Sequence, residues 1–277
     1  MNILFWNTNR KNPENVTACL CELLSENAID LLILAEYPNE TKALCKTINK
    51  KSNIEYNSIT SVLPPKNLRA IINPKYSAKN LQAEARYQIL HISNQQNGII
   101  VAAIHGYDIR NHPKIKDRET LIRQFKTDII EHEQKQKCPH TVAIGDFNVS
   151  PYEEPAFTTD GMHALPFSDS FEKPTKVKGT NTKHKKFYNP TWRFFANVKP
   201  PFTTYRYEKD SGTSAFYWYA LDQVMISPSL IPFWDENSPK IITKTANHNL
   251  IKKTGQPNTD IYSDHLPLFC QLKEDFI

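Results

Sequence analysis

The chain opens on an apolar run, Ile3-Leu4-Phe5-Trp6, that stops at Asn7, and a short run without helical spacing predicts a buried strand. Asn12-Pro13 then supplies a cap and a first-turn proline, and Val16, Leu20, Leu23 and Leu24 recur at helical spacing, so a helix with one apolar face is expected. After Asp30 the run Leu31-Leu32-Ile33-Leu34-Ala35 predicts a second buried strand ending at Glu36, and residues 42–50 a second helix after Thr41. The middle of the chain offers strand-like runs at 54–62, 68–73, 85–92 and 98–106 with few residues between them, which favours antiparallel pairing. Leu121, Ile122, Phe125, Ile129 and Ile130 mark a further amphipathic helix, and Thr141 to Phe147 a strand ending at Asp146. The runs at 219–227 and 266–272 predict the last two strands. Strand pairs interspersed with helices predict an α/β sandwich: two packed mixed, mainly antiparallel β-sheets flanked by helices on their outer faces. Neither an internal repeat nor a long polar linker interrupts the pattern, and at 277 residues a single domain spanning 1–277 is expected.

Charge changes this picture in one place. The net charge of +5 is unevenly spread: between Lys173 and Tyr207 there are nine Lys or Arg and no acid, so the rest of the chain carries an excess of acid. The same stretch holds Phe187, Tyr188, Trp192, Phe194, Phe195, Tyr205 and Tyr207. Residues from about 171 to 215 are therefore expected to form a basic, aromatic-rich insertion that grips a polyanion, with Lys183, Lys185, Lys186, Tyr188, Asn189 and Trp192 as substrate contacts. A solvated loop anchored by its rings is the plainer reading of the same letters. A smaller basic loop runs from Arg110 to Lys116, where Arg110 is placed to hold a flanking phosphate. The five cysteines form no C-x-x-C and are expected to be reduced. With no charged-then-apolar leader and no apolar stretch near ~18 residues, a soluble cytoplasmic protein without membrane contact is expected. No obligate protein partner is readable.

Polar residues at the ends of the apolar runs change the picture more. Asn7, Glu36, His105, Asp146, Asp222 and the pair Asp264-His265 each sit where a run begins or stops. Alone, each has a plain explanation, since strand ends carry side chains that cap backbone groups. Six such ends predict convergence on one site, because sheets bring strand ends into register. Asn7, Glu36, Asp146, Asn148 and Asp264 offer only oxygen donors, unaccompanied by a thiolate or a His-x-x-x-His helix, so a hard cation suits them: Mg2+ first, with Mn2+ as the substitute. Such an ion completes its shell with phosphate, and phosphate ester chemistry needs in addition a base for water and an acid or cation to steady the phosphate. Asp146, His105 and His265 are open to those roles. His91, His132, His140 and His163 have no patterned partner and are expected to be surface or satisfied core residues.

Taken in order, "LFWNTN", "LAEY", "GDFN", "LDQVMIS" and "SDHLP" resemble the signature blocks of the endonuclease/exonuclease/phosphatase superfamily, the deoxyribonuclease I-like fold, over residues 2–272. The resemblance implies a four-layer α/β sandwich with a cation near Asn7, Glu36 and Asp264. It further implies that Asp146 orients or deprotonates the water, that Asn148 touches the scissile phosphate, and that Asp222 orients His265, which stabilises the phosphorane. Members place either a histidine or an aromatic hydroxyl after the strand that ends at 105; His105 is preferred here to Tyr107. The expected function is that of a magnesium-dependent phosphodiesterase, above all an endonuclease acting on DNA or RNA. A phosphomonoesterase or lipid phosphodiesterase is the alternative within the superfamily. A nucleic-acid-binding module is the alternative without chemistry, and the competent residue at every expected catalytic position disfavours it.

Overall fold

The computed structural model describes all residues except 53, 62–66, 95–96, 109–110, 113, 169–173, 178, 180–182, 208–216, 236 and 274–275. Six strands, β1 (Asn2–Asn7), β2 (Leu31–Ala35), β3 (Asn57–Ile59), β4 (Leu68–Ile72), β16 (Lys240–Ile241) and β17 (Leu268–Gln271), form one sheet in the order β16-β17-β1-β2-β4-β3. Only the central pair β1–β2 is parallel. The second sheet has seven: β5 (Ser77–Ala83), β6 (Tyr87–Ser93), β7 (Gly98–His105), β8 (Thr141–Asp146), β9 (Ala164–Leu165), β12 (Phe187–Tyr188) and β15 (Asp222–Ile226), in the order β5-β6-β7-β8-β15-β12-β9. Two short ribbons, β10 (Thr175–Lys176) with β11 (Lys183–His184) and β13 (Tyr205–Arg206) with β14 (Trp218–Tyr219), stand apart from both.

The period-2 alternation of the central strands decides the layering. Ile3 and Phe5 of β1, Ile33 of β2, Val101 and Ala103 of β7, Val142 and Ile144 of β8 and Val224 of β15 meet between the sheets in one buried cluster. Leu4, Trp6, Leu32 and Leu34 point the other way, onto α1 (Pro13–Glu26) and α2 (Thr41–Lys51), while Ile100, Ala102, Ile104 and Ala143 face α3 (Ile115–Gln136). Strands covered on both faces need no polar side, which is why they read as unbroken apolar runs. The result is the expected sandwich of two mixed, mainly antiparallel sheets between helices. Asn12 caps α1 through its side chain, and the anticipated face of Val16, Leu20, Leu23 and Leu24 is buried.

Some boundaries differ. Of the run at 54–62, only Asn57–Ile59 is strand among the described residues. The polar strand β5 has no apolar run to announce it; it is an edge strand with a register shift between Asn80 and Gln82, where exposure and a bulge suit polar side chains. The run at 219–227 divides, Tyr219 pairing with Tyr205 while β15 begins at Asp222. The last strand begins at Leu268 and not Leu266, because Pro267 has no N–H to give the ladder. Among the described residues, no helix is long and apolar enough to cross a membrane.

Candidate active site

The site is the polar end of the inter-sheet core. Along β1 the inward positions read Ile3, Phe5, Asn7; along β7 Ile99, Val101, Ala103, His105; along β8 Val142, Ile144, Asp146; and β15 starts inward at Asp222 before Val224 and Ile226. Register brings the ends together: His105 is opposite Asp146, and Asp146 opposite Asp222, so three functional side chains form one row across the second sheet. Gly145 makes this row possible. Its φ of +152 and the collision that a Cβ would have with the Ile104 carbonyl mean that only glycine lets β8 lie this close to β7. From the facing sheet the Asn7 side-chain amide donates to Asp146 Oδ2 at 2.9 Å, joining the two sheets at the site.

Glu36 follows Ala35, whose side chain points into the inter-sheet core, and strict alternation would aim it at the helices. A left-handed backbone, φ 52, breaks the alternation and turns it to the site, where Oε1 lies 3.3 Å from His105 Nε2 and Oε2 3.2 Å from Arg10 Nε. The hydrogen bond from His105 is the main reason that its carboxyl stays below the usual range, with burial acting the other way and Arg10 assisting. Asn148 is also left-handed, at φ 52; its N–H donates to Asp146 Oδ1 at 3.0 Å and its side-chain amide to the Gly106 carbonyl at 3.3 Å.

His265 is buried, with Nδ1 2.8 Å from Asp222 Oδ2 and Nε2 4.0 Å from Asp146 Oδ2. The Ser263 hydroxyl accepts its N–H, Trp6 Nε1 donates to its carbonyl, and the Tyr205 ring lies over it at 4.4 Å. Burial alone would lower the imidazole, but Asp222, Asp146 and Asp264 together push it up to about 10. Burial raises the Asp146 carboxyl, with His265 pulling it back and Asp222 adding to the rise. Donor atoms of Asp146, Asp222 and His265 lie within 4.8 Å of one another, a spacing compatible with a metal. The Asp222 bond and the cationic state leave His265 no free lone pair there, so this trio is read as a proton-handling group. Hard oxygens nearby, from Asn7, Glu36 and Asp264, are the donors that fit a divalent cation.

A cavity of about 280 Å³ collects Asn7, Glu36, His105, Asp146, Asn148, Asp264 and His265. Tyr107 does not line it, being held between His112 and Arg86. Asn9, Arg10, Asn67 and Arg86 do line it, and none was singled out from the sequence; Tyr205, one of the rings of the basic stretch, lines it too. A lone polar residue in a loop has no periodic signal; only the left-handed tendency of Asn9 hints at a tight turn.

The insertion residues expected as substrate contacts lie elsewhere than this cavity. None of Lys183, Lys185, Lys186, Tyr188, Asn189 and Trp192 lines the cavity. Lys183 is exposed on β11. Lys185 makes a buried ion pair with Glu133 of α3, whose carboxylate also accepts the Thr141 hydroxyl at 2.5 Å. Lys186 is half-buried beside it. Tyr188 pairs with Ile226 and packs against the inter-sheet core, and Asn189 is fully buried, donating to Gln223 and capping the 3-10 turn Pro190–Ala196. Trp192 sits half-buried in that turn, 5.8 Å from the Phe195 ring. Arg110 lies outside the described residues.

Neither a family model nor a curated protein sequence matches the chain. Solved structures do. TDP2 of D. rerio complexed with single strand DNA product is 13% identical, with a TM-score of 0.56 over 98% of this chain and 97% of that one. An AP endonuclease from Archaeoglobus fulgidus is 16% identical, with a TM-score of 0.54 over 98% and 99%. The human Nocturnin catalytic domain with bound sulfate anion is 14% identical, with a TM-score of 0.56 over 98% and 93%. At such identities the likeness is one of fold, the deoxyribonuclease I-like α/β sandwich.

Proposed function

We propose that the protein is a magnesium-dependent phosphodiesterase that hydrolyses nucleic acid, with Asn7, Glu36 and Asp264 as the residues that hold the cation. The observation that carries this reading is the row His105, Asp146, Asp222 completed by His265, with oxygen donors arriving from the facing sheet. A bound divalent ion would neutralise charge on the phosphate and help ionise water. Asp146, its carboxyl raised by burial and its oxygens already fixed by Asn7 and Asn148, takes the proton of the attacking water. His265, kept cationic and oriented by Asp222, donates to the phosphate oxygens as negative charge grows on them. The Asn148 amide, which lines the same cavity, would donate to that phosphate, and His105 steadies Glu36. The neighbour complexed with single strand DNA product supports nucleic acid as the polymer, and endonucleolytic cleavage is the mode we favour.

The experiment is cleavage of plain DNA and RNA with Mg2+, with chelator, and with Asp146→Asn and His265→Ala. Activity is expected to vanish in chelator and return with Mg2+ or Mn2+, and each variant to lose on the order of 10² or more in kcat with little change in KM. Undiminished cleavage in excess chelator, or near wild-type turnover by either variant, overturns the reading.

A further inference from the structure

Two consecutive non-glycine residues at the rim of the site, Asn9 (φ 47) and Arg10 (φ 52), adopt the left-handed conformation. Such residues cost of order 1–3 kcal/mol each and persist where the surroundings over-determine them. Here the surroundings are the site: Asn9 N–H donates to Asn7 Oδ1 at 3.0 Å, Asn9 Nδ2 to Asp264 Oδ1 at 2.8 Å, and Arg10 N–H to the Glu36 carbonyl at 3.1 Å. The Arg10 backbone is therefore fixed beside the three proposed cation ligands. Its side chain is not: it is 72% exposed, and among the described residues its one ion pair is that of Nε with Glu36 Oε2.

Both Glu36 oxygens are thus engaged by a basic group, Oε1 by His105 and Oε2 by Arg10. A cation that takes Glu36 competes with these two groups for its oxygens. His105 is buried at the end of β7 and has nowhere to go, whereas the exposed guanidinium is free to leave. Withdrawn from Glu36, it is still tethered at the rim of the same cavity, which Arg86 also lines, with a planar fork suited to phosphate oxygens.

We propose that Arg10 is a phosphate-binding, specificity-determining residue that occupies Glu36 in place of the cation and passes to a substrate phosphate when the cation takes Glu36, so that cation and phosphate bind in concert. The inference rests on the phosphodiesterase reading above. It makes the fork of Arg10 a reader of phosphate that is armed only when the cation is in place.

The test uses the full chain, with manganese alone and inorganic phosphate as probes. Mn2+ binding is followed by electron paramagnetic resonance, and phosphate binding at saturating Mg2+ by calorimetry, for wild type, Arg10→Gln and Arg86→Gln. Arg86→Gln removes an equal charge from the same cavity, at a guanidinium that donates to the Gly106 carbonyl and lies over the Tyr107 ring. Arg10→Gln is expected to bind Mn2+ about two- to fivefold more tightly than wild type, the scale of an exposed ion pair, and more tightly than Arg86→Gln. Its phosphate affinity should fall about ten- to hundredfold. Mn2+ affinity no tighter than that of Arg86→Gln, or unchanged phosphate affinity, overturns the proposal while leaving the phosphodiesterase reading intact if wild type still binds Mn2+ and hydrolyses nucleic acid. A wild-type protein that does neither overturns both.

Discussion

His265 owes its charge to its neighbours, and Asp222 is the neighbour that also fixes its ring, through the 2.8 Å bond to Nδ1. Asp222→Asn keeps the shape and removes the charge, so we expect kcat to fall about tenfold, less than the loss for His265→Ala, with KM unchanged. A loss equal to that of His265→Ala would mean that Asp222 does more than orient. A second titration bears on stability. His163 is buried, and burial, helped by Lys126, lowers its imidazole to about 4. A group lowered in this way is neutral in the fold; its stabilising share is intact above the unfolded value near ~6.5 and is lost as pH falls from there towards 4. Unfolding free energies from pH 7 to 4 should therefore drop more steeply for wild type than for His163→Asn, a replacement that the left-handed backbone at this position (φ 55) accepts. Parallel curves would contradict it. At this scale much of the site was legible in the sequence: residues that end an inward-facing alternation, such as Asn7, His105 and Asp146, announce themselves by being polar where Ile, Val and Ala came before. Glu36 also ends a run, but its left-handed turn into the site was not readable, and Arg10 and Arg86 belong to no alternation at all.

Elements were read well where burial on two faces produced apolar runs, and poorly where pairing partners are far apart in sequence. The insertion shows why. A run of lysines looks like one surface, yet in the connection between β11 and β12 Lys185 turns in to Glu133, a residue of α3 some fifty positions earlier, while Lys183 on β11 stays exposed. The two should answer mutation in opposite ways. Lys185→Met leaves the Glu133 carboxylate buried without its partner, and we expect a loss of about 3–5 kcal/mol in unfolding free energy with no change in the salt dependence of nucleic-acid binding. Lys183→Ala should leave the unfolding transition where it is; if β11 contacts the polymer, it flattens the salt dependence by about 0.7 to 0.9 per lost phosphate contact. A stable Lys185→Met with a flattened salt slope would restore the view of the insertion as one continuous grip.

The molecule as a whole is a clamp of two sheets whose shared core ends in the site, so the spacing of the sheets is part of the catalytic geometry. Asn7 on one sheet and Asp146 on the other are joined by a single hydrogen bond of 2.9 Å, and behind it lies the apolar layer containing Phe5, Ile33, Val101 and Val224. The outer layer, where Leu20 of α1 packs on Leu4 and Trp6, is as deeply buried but touches only one sheet. A cavity made between the sheets lets them settle toward each other, while a cavity made under α1 moves a helix and leaves the sheets in place. Ile33→Ala and Leu20→Ala are both expected to cost about 2–5 kcal/mol in denaturant unfolding. Only Ile33→Ala should also lower kcat, by about ten- to hundredfold, because small misplacements of reacting groups carry large rate penalties. The measurement is turnover well below both unfolding midpoints, so that every molecule counted is folded. Equal kcat for the two variants would mean that the strand ends hold their geometry without help from the core behind them.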